Sequence, residues 1–202
     1  MQAEVNARND EGSTLFHTAS KAGQLELVQL FLDHGADADV RDNSGTTPFH
    51  LAAGGGHLKV SQILFELKAD IKAPDSEGRT PLHYASSEGT PDVVRSLLDH
   101  GADADARDNA GNTSLHFATV NGSPEVIRML LERKVEVNSR NDDGITPLHG
   151  ASTKGRLHVL RFLLEHGADA GVCDESGRTA LDVAWFGRRQ QIRELLSKPA
   201  AD

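Results

Sequence analysis

Close copies of Thr80-Pro81-Leu82-His83-Tyr84-Ala85 recur along this chain in steps of 33 residues, and this repetition indicates its fold. Glycine keeps the same step at six positions, from Gly12 to Gly177, and histidine keeps it at five, from His17 to His149. A fixed period of this length is typical of repeat arrays, in which each unit buries its apolar face by stacking on its neighbours. The two other near-identical copies are Thr47-Pro48-Phe49-His50-Leu51-Ala52 and Thr146-Pro147-Leu148-His149-Gly150-Ala151.

Each unit is predicted to consist of a turn, a helix, a tight loop and a second helix. In the second unit, residues 42–45 are turn formers, and Thr47 can cap a helix whose first position is Pro48. Gly54-Gly55-Gly56 ends that helix, and residues 57–67 carry the apolar spacing of the second one. The chain is therefore predicted to consist of successive helix pairs.

Glycine follows the second helix of three units, where a left-handed residue closes the helix. Lys68 and Lys134 occupy that place in the second and fourth units. Because a side chain makes the left-handed conformation costly, we expect these two corners to be looser or closed differently.

These stretches resemble the T-P-L-H-x-A pattern of the ankyrin repeat, and the period agrees with that family. The resemblance extends over nearly the whole chain, with mild departures at Thr14-Leu15-Phe16-His17 and Thr113-Ser114-Leu115-His116. It implies an all-α solenoid of stacked antiparallel helix pairs, with β-hairpin-like loops projecting roughly at right angles. It also implies a partner protein or extended peptide bound in the concave groove formed by the loops and the first helices.

Six repeats are predicted within an ankyrin repeat domain over residues 9–198, between a remnant of a preceding repeat (1–8) and a tail (199–202). The remnant is expected because Glu4-Val5-Asn6-Ala7-Arg8 matches the stretch that closes later units. The sixth unit is predicted to be a C-terminal cap, because it lacks the proline and histidine and carries Trp185 and a polar outer face. The repeats lie near 9–41, 42–74, 75–107, 108–140, 141–173 and 174–198.

Composition excludes several classes of function. Of the 202 residues, 38% are hydrophobic but only 4% aromatic, which suits thin aliphatic layers. The net charge of −9 disfavours nucleic acid and anionic membranes as partners, and no run approaches a membrane span. Cys173 is the only cysteine, so an internal disulfide is impossible, and we expect a location in the cytoplasm or nucleus.

No catalytic, cofactor-binding or metal-binding residue is expected. One ladder histidine per unit cannot converge on a single zinc ion, because packed helices lie about 8–10 Å apart. The recurring Thr and His three residues apart is explained by helix capping, and the glycine-rich loop lacks the Lys of a phosphate loop. The acidic pairs Asp10-Glu11 and Asp142-Asp143 lack further cation ligands, and Cys173 has acidic neighbours that disfavour a reactive thiolate.

The chain is therefore predicted to be a non-catalytic interaction module, monomeric in isolation. Residues demanded by folding are periodic, so exposed residues that vary between units are free to encode specificity. Acidic loop tips favour a partner with a basic segment. Carried over from the resemblance, the partner-binding residues are Asn43, Ser44, Thr46, Ser76, Glu77, Arg79, Tyr84, Ser87, Glu88, Asn109, Asn112, Phe117, Val120, Asn121, Asp142, Asp143, Ile145 and Lys154.

Several alternatives stay open at this point. Tyr84 and Phe117 are either aromatic anchors for a partner or packing residues against a neighbouring loop. Gly54 and Gly55 either leave room for a partner side chain or serve the loop alone. The array is alternatively the regulatory or targeting part of a larger enzyme or effector, with catalysis outside this segment, or a structural spacer or self-associating scaffold.

Overall fold

The computed structural model describes residues 5–196. The predicted tail (199–202), residues 197–198 of the sixth unit and residues 1–4 of the remnant lie outside this range. Within it, eleven α-helices and one 3-10 helix (Phe186–Arg188) follow one another. The α-helices are α1 (Leu15–Lys21), α2 (Leu25–Asp33), α3 (Pro48–Gly54), α4 (Leu58–Glu66), α5 (Pro81–Glu88), α6 (Pro91–Asp99), α7 (Ser114–Asn121), α8 (Pro124–Glu132), α9 (Pro147–Thr153), α10 (Leu157–Glu165) and α11 (Arg189–Leu196).

The helices form two rows, as expected of an all-α ankyrin solenoid. The first helices, α1, α3, α5, α7 and α9, stack on one another, and the second helices line up behind them. The first helices pack more closely with one another than the second helices do. The array therefore curves with the first helices on its concave side.

One continuous aliphatic core runs between the two rows. The third unit shows the pattern, because Val93, Val94 and Leu97 of α6 are fully buried against the first helix of the same unit and its neighbours. Each unit contributes one thin layer, so the buried area comes mainly from stacking.

Each first helix begins with the predicted threonine and histidine. In the second unit, the backbone N–H of Thr47 donates to Nδ1 of His50 at 3.1 Å, and Pro48 occupies the first helical position. Since a backbone N–H only donates, Nδ1 accepts, and the imidazole hydrogen must sit on Nε2. Nε2 then donates to the carbonyl oxygen of Arg79 in the next unit at 3.0 Å. The histidine thus joins two neighbouring units.

The loops that project from the helices contact one another through backbone hydrogen bonds. Within one loop, the Asp42 carboxylate accepts the N–H groups of Ser44 and Thr46, both at 2.9 Å, and Gly45 takes a positive φ of 72°. Within residues 5–196, the β-bridges are isolated residue pairs inside single loops, and they do not extend into a ladder. The bonds between neighbouring tips, 2.8–3.0 Å long, run from Asn43 N to Glu11 O, Ser76 N to Ser44 O, Asn109 N to Glu77 O, Asp142 N to Ala110 O and Glu175 N to Asp143 O.

The sixth unit departs from the pattern at its first helix. Asp182 replaces the histidine, and its carboxylate accepts from the backbone N–H and hydroxyl of Thr179, but only a turn follows. Trp185 then packs against Gly155 of the fifth unit, where even a Cβ atom would lie 3.1 Å from the indole ring. Helix α11 buries Ile192 and leaves its charged side chains exposed.

The corners at Lys68 and Lys134 are closed in the same way as the glycine corners, so the expectation of a different closure is wrong. Both lysines take a positive φ, 59° and 62°. The Lys68 N–H donates to the Phe65 carbonyl at 2.9 Å, as Gly35 N–H does to Leu32 at 3.0 Å. The two lysines therefore carry the cost of a left-handed side chain within an unaltered corner.

We expect Lys68→Gly and Lys134→Gly each to raise the free energy of unfolding by about 1 kcal/mol, because glycine removes the steric cost of a Cβ atom at positive φ. The measurement is urea denaturation of each variant. Lys68→Ala is the matched control, because it removes the charge but keeps the Cβ atom. Equal stabilisation by alanine and glycine would show that the lysine charge, and not the backbone, is responsible.

Candidate functional site

The ladder histidines are used by the framework. His50 is fully buried, and both of its ring nitrogens are committed to the bonds described above. His17, His83, His116 and His149 repeat this arrangement with the loops of their own next units. In the described range, no group of three or more His, Cys, Asp or Glu side chains is placed to hold a metal ion. The ladder therefore offers no free ligand.

Burial also favours the neutral form of four of these imidazoles. Desolvation lowers the pKa of His50 to about 4, although its bond to the Arg79 carbonyl favours the charged form. Desolvation likewise lowers the pKa of His17, His83 and His116, again against the bonds to neighbouring carbonyls. A neutral ring suits its position, because Nδ1 must accept a hydrogen bond.

Tyr84 is anchored in the framework by three contacts. Its hydroxyl donates to the Asp75 carboxylate at 2.9 Å, its ring meets His50 edge to face at 5.1 Å, and the guanidinium of Arg79 lies 5.2 Å from the ring centre. Burial would raise the pKa of Asp75, but hydrogen bonds from the Arg79 amide and Tyr84, with the Arg79 charge, together hold that pKa below its usual value. The packing interpretation of Tyr84 therefore has strong support.

Phe117 has a different environment. Its ring meets His83 edge to face at 5.6 Å, and its other side faces two open cavities on the concave surface. The smaller cavity, about 160 Å³, is lined by six residues of the third and fourth units. It brings together five of the predicted partner-binding residues, namely Arg79, Tyr84, Ser87, Glu88 and Phe117.

The larger of these two cavities, about 580 Å³, spans units four to six, and we call it the apolar groove. Its apolar lining comes from Phe117, Val120, Ile145, Gly150 and Val183 of units four to six. Val120 is 39% exposed, which is unusual for a valine beside a packed helix row. Five predicted residues line this groove: Asn112, Phe117, Val120, Ile145 and Lys154.

Gly150 explains why the groove opens here. It stands at the variable position of the repeat pattern, where the second, third, fourth and sixth units have Leu51, Tyr84, Phe117 and Val183. Without a side chain at Gly150, the space between Phe117 and Val183 stays empty. Gly150 and Val183 were not among the predicted residues. The signal that could have indicated Gly150 was a glycine at a position that is apolar or aromatic in four of the other five units.

Of the two alternatives for Gly54 and Gly55, the structure does not support room for a partner side chain. A Cβ atom at Gly54 would lie 3.5 Å from the Tyr84 ring, and one at Gly55 would lie 2.5 Å from the His57 ring. Neighbouring side chains therefore cover both glycines, and the loop interpretation is the one that the structure supports.

The predicted residues at the loop tips are exposed, but several are engaged with neighbouring tips. The side-chain amides of Asn43 and Asn109 donate to the carbonyls of Asp10 and Ser76, both at 3.0 Å. Thr46 was expected on the surface and is instead buried, with 6% exposure. Asn121 is half-buried. The exposed tips are Ser44, Ser76, Glu77, Asp142 and Asp143.

Comparison with known protein families agrees with this architecture. A model described as "Ankyrin repeats (3 copies)" matches residues 1–75 and 67–141, and one described as "Ankyrin repeats (many copies)" matches residues 130–184. The chain belongs to the ankyrin repeat family, which confirms the resemblance, and six repeats fit these matches. Ankyrin repeats generally act as protein–protein interaction modules and are typically non-catalytic. No curated protein matched the chain.

Within residues 5–196, no helix is both long and apolar enough to cross a bilayer.

The buried histidines predict a specific pH dependence of stability. The unfolded chain takes up protons near the ordinary histidine pKa of 6.5, whereas folded His50 stays neutral down to about pH 4. The stabilisation is therefore complete above pH 6.5 and is lost as the pH falls towards 4, by about 3 kcal/mol for His50 alone. Urea denaturation at several pH values from 7.5 to 4.5 measures this loss.

His50→Gln should make this pH dependence shallower, and the same substitution at exposed His34 is the matched control. Carboxylates with lowered pKa values, such as Asp75, lose their contribution only below their ordinary value of 3.8. They therefore do not account for a loss between pH 6.5 and 4.5. A free energy of unfolding that stays constant over this range would contradict the prediction.

Proposed function

We propose that this chain is a non-catalytic interaction module that binds a partner protein or extended peptide on its concave face. The observation that supports this most strongly is the apolar groove of about 580 Å³ beside Gly150. Grooves of this kind, apolar with a few polar groups at the edge, are typical binding sites. The helix rows hold the groove walls in place, so the partner meets a largely preformed surface.

Phe117 is the central anchor of this proposal. It lines both concave cavities, and aromatic residues in such positions often dominate binding energy. Val120 and Ile145 extend the apolar contact towards the loops. Arg79 and Glu88 border the smaller cavity and supply polar contacts in the third unit.

The exposed tips Glu77, Asp142 and Asp143 favour basic residues in the part of the partner that crosses the loops. Cys173 is exposed and free, which suits a reducing compartment. We accordingly place the interaction in the cytoplasm or nucleus. We further propose that the isolated chain is monomeric and binds its partner with one concave face.

Gly150→Leu and Phe117→Ala test the groove from opposite directions. Leucine fills the space that glycine leaves open, with a small shift of Val120, whose nearest methyl lies 3.2 Å from an added Cβ atom. Alanine instead removes the anchor. We expect each variant to reduce partner capture by about 30-fold, corresponding to about 2 kcal/mol, as measured by quantitative pull-down.

Photo-crosslinking locates the contact. A photoreactive residue at Thr153, on the edge of the groove, should label the captured partner, whereas the same residue at exposed Gln29 of α2 should not. Leu67→Ala is the matched side-chain control, because Leu67 is 49% exposed and does not line the groove. Full capture by both groove variants, with labelling from Gln29 only, would place binding on another face.

A further inference from the structure

A third cavity, about 290 Å³, lies beside the apolar groove, and its lining is cationic where that of the groove is apolar. It is lined by Lys154, Gly155, Arg156, His158, Trp185 and Arg188, and we call it the basic pocket. Its lining contains three cationic side chains and no carboxylate. The chain has 30 acidic and 21 basic residues, so an average patch of its surface is expected to be acidic. A cluster of three cations without a carboxylate therefore differs from the rest of the surface.

The three cations of the basic pocket lack ion-pair partners among residues 5–196. Some other arginines of the described residues do form ion pairs. Arg79 and Arg178 pair with Asp75 and Asp174 at 3.0 and 2.8 Å, and Arg140 pairs with a glutamate at 3.0 Å. Arg156 and Arg188 differ from these arginines because they line a common cavity that holds no carboxylate.

The guanidinium groups also keep most of their hydrogen-bond donors free. Arg156 packs across Gly122, where an added Cβ atom would lie 2.8 Å from its Nε, and makes no side-chain hydrogen bond within the described residues. Arg188 makes one long contact, 3.5 Å, to the Gly155 carbonyl. Each guanidinium has five N–H donors in a fork that matches a carboxylate.

The walls of the basic pocket are fixed by the framework. The Trp185 ring packs on Gly155, and the backbone N–H of Trp185 donates to the Ser152 carbonyl at 3.1 Å. Arg156 is the N-cap of α10, so the positive end of that helix adds to the field of the side chains. A carboxylate entering here would replace water at donors that are already in position.

Lys154 lines both the apolar groove and the basic pocket, so the two cavities lie side by side. Resting on the proposed function, we propose that the segment bound in the groove is an acidic peptide. It places a bulky apolar side chain against Phe117 and an aspartate or glutamate carboxylate in the basic pocket. The partner's basic residues, which are expected to contact the acidic loop tips, would then belong to a different part of the partner.

An acidic peptide is favoured over other anions for two reasons. Inorganic phosphate would use the basic pocket but leave the adjoining groove empty. An anionic membrane would contact exposed Trp185 and Phe186, but the net charge of −9 opposes approach to such a surface. Only a peptide uses the pocket and the groove together.

The test is selection from a random-peptide display library on the intact chain, followed by affinity measurements with the selected peptides. We expect the selected peptides to carry an acidic residue near a bulky apolar one. They should bind the double variant Arg156→Gln/Arg188→Gln at least about tenfold more weakly, with a smaller dependence on salt. Arg128→Gln/Arg161→Gln is the matched control, because both arginines are exposed on second helices and the change in net charge is identical.

Each other outcome overturns the inference. One such outcome is a set of selected peptides without acidic residues. Another is that the peptides bind the Arg156→Gln/Arg188→Gln variant and the wild type with equal affinity. Either would show that the pocket does not bind a carboxylate. Binding to phosphatidylserine vesicles but to no peptide would assign the pocket to a membrane. If Gly150→Leu abolishes peptide binding while Arg156→Gln/Arg188→Gln does not, the groove remains the binding site and only the acidic specificity fails.

Discussion

The hydrogen bonds of one buried imidazole in each of the first five units hold this solenoid in register. Each ladder histidine accepts from the threonine N–H that begins its own helix and donates to a carbonyl of the next loop. Both bonds require the neutral ring with hydrogen on Nε2. The same residue thus caps a helix, fixes the loop that precedes it and joins two units, so it cannot vary without affecting all three.

This constraint determines which surfaces are left for binding. The loop tips have their backbone groups, and at Asn43 and Asn109 their side-chain amides, committed to neighbouring tips. The aliphatic faces of the helices are committed to stacking. The exposed faces of the first helices remain, and their variable position carries a different side chain in each unit. The binding surface that we propose on the concave face consists of these exposed helix faces.

The repeat itself could be predicted closely, because its determinants are local and periodic. Thr47, Pro48 and His50 identify a helix start from sequence alone, and five copies remove the ambiguity of one. The groove could not be predicted in the same way. Its position depends on the side chains of neighbouring units: the Tyr84 ring and Glu88 lie over Gly54, whereas Gly150, although Val120 lies close to it, lines an open groove. Glycine alone did not distinguish these cases.

The corners at Lys68 and Lys134 also show where prediction from the sequence fails, here because it expected an altered backbone that is in fact regular. A single-residue preference argued for a different closure at Lys68, but the carbonyls of α4 and the stacking of its neighbours impose the left-handed corner regardless of the side chain. A preference of about 1 kcal/mol is small beside the loss of a unit interface. Departures from the motif therefore alter the backbone only where they remove a whole element, as in the sixth unit.

That removal explains why the groove and the basic pocket lie together. The first helix of the sixth unit is reduced to a turn, so short Val183 borders the groove where a continued helix row would close it. The chain then turns back, Trp185 packs on Gly155, and Arg188 joins Lys154 and Arg156. Two breaks in periodicity, the glycine at position 150 and the shortened cap, thus bring an apolar surface and a cationic surface next to each other.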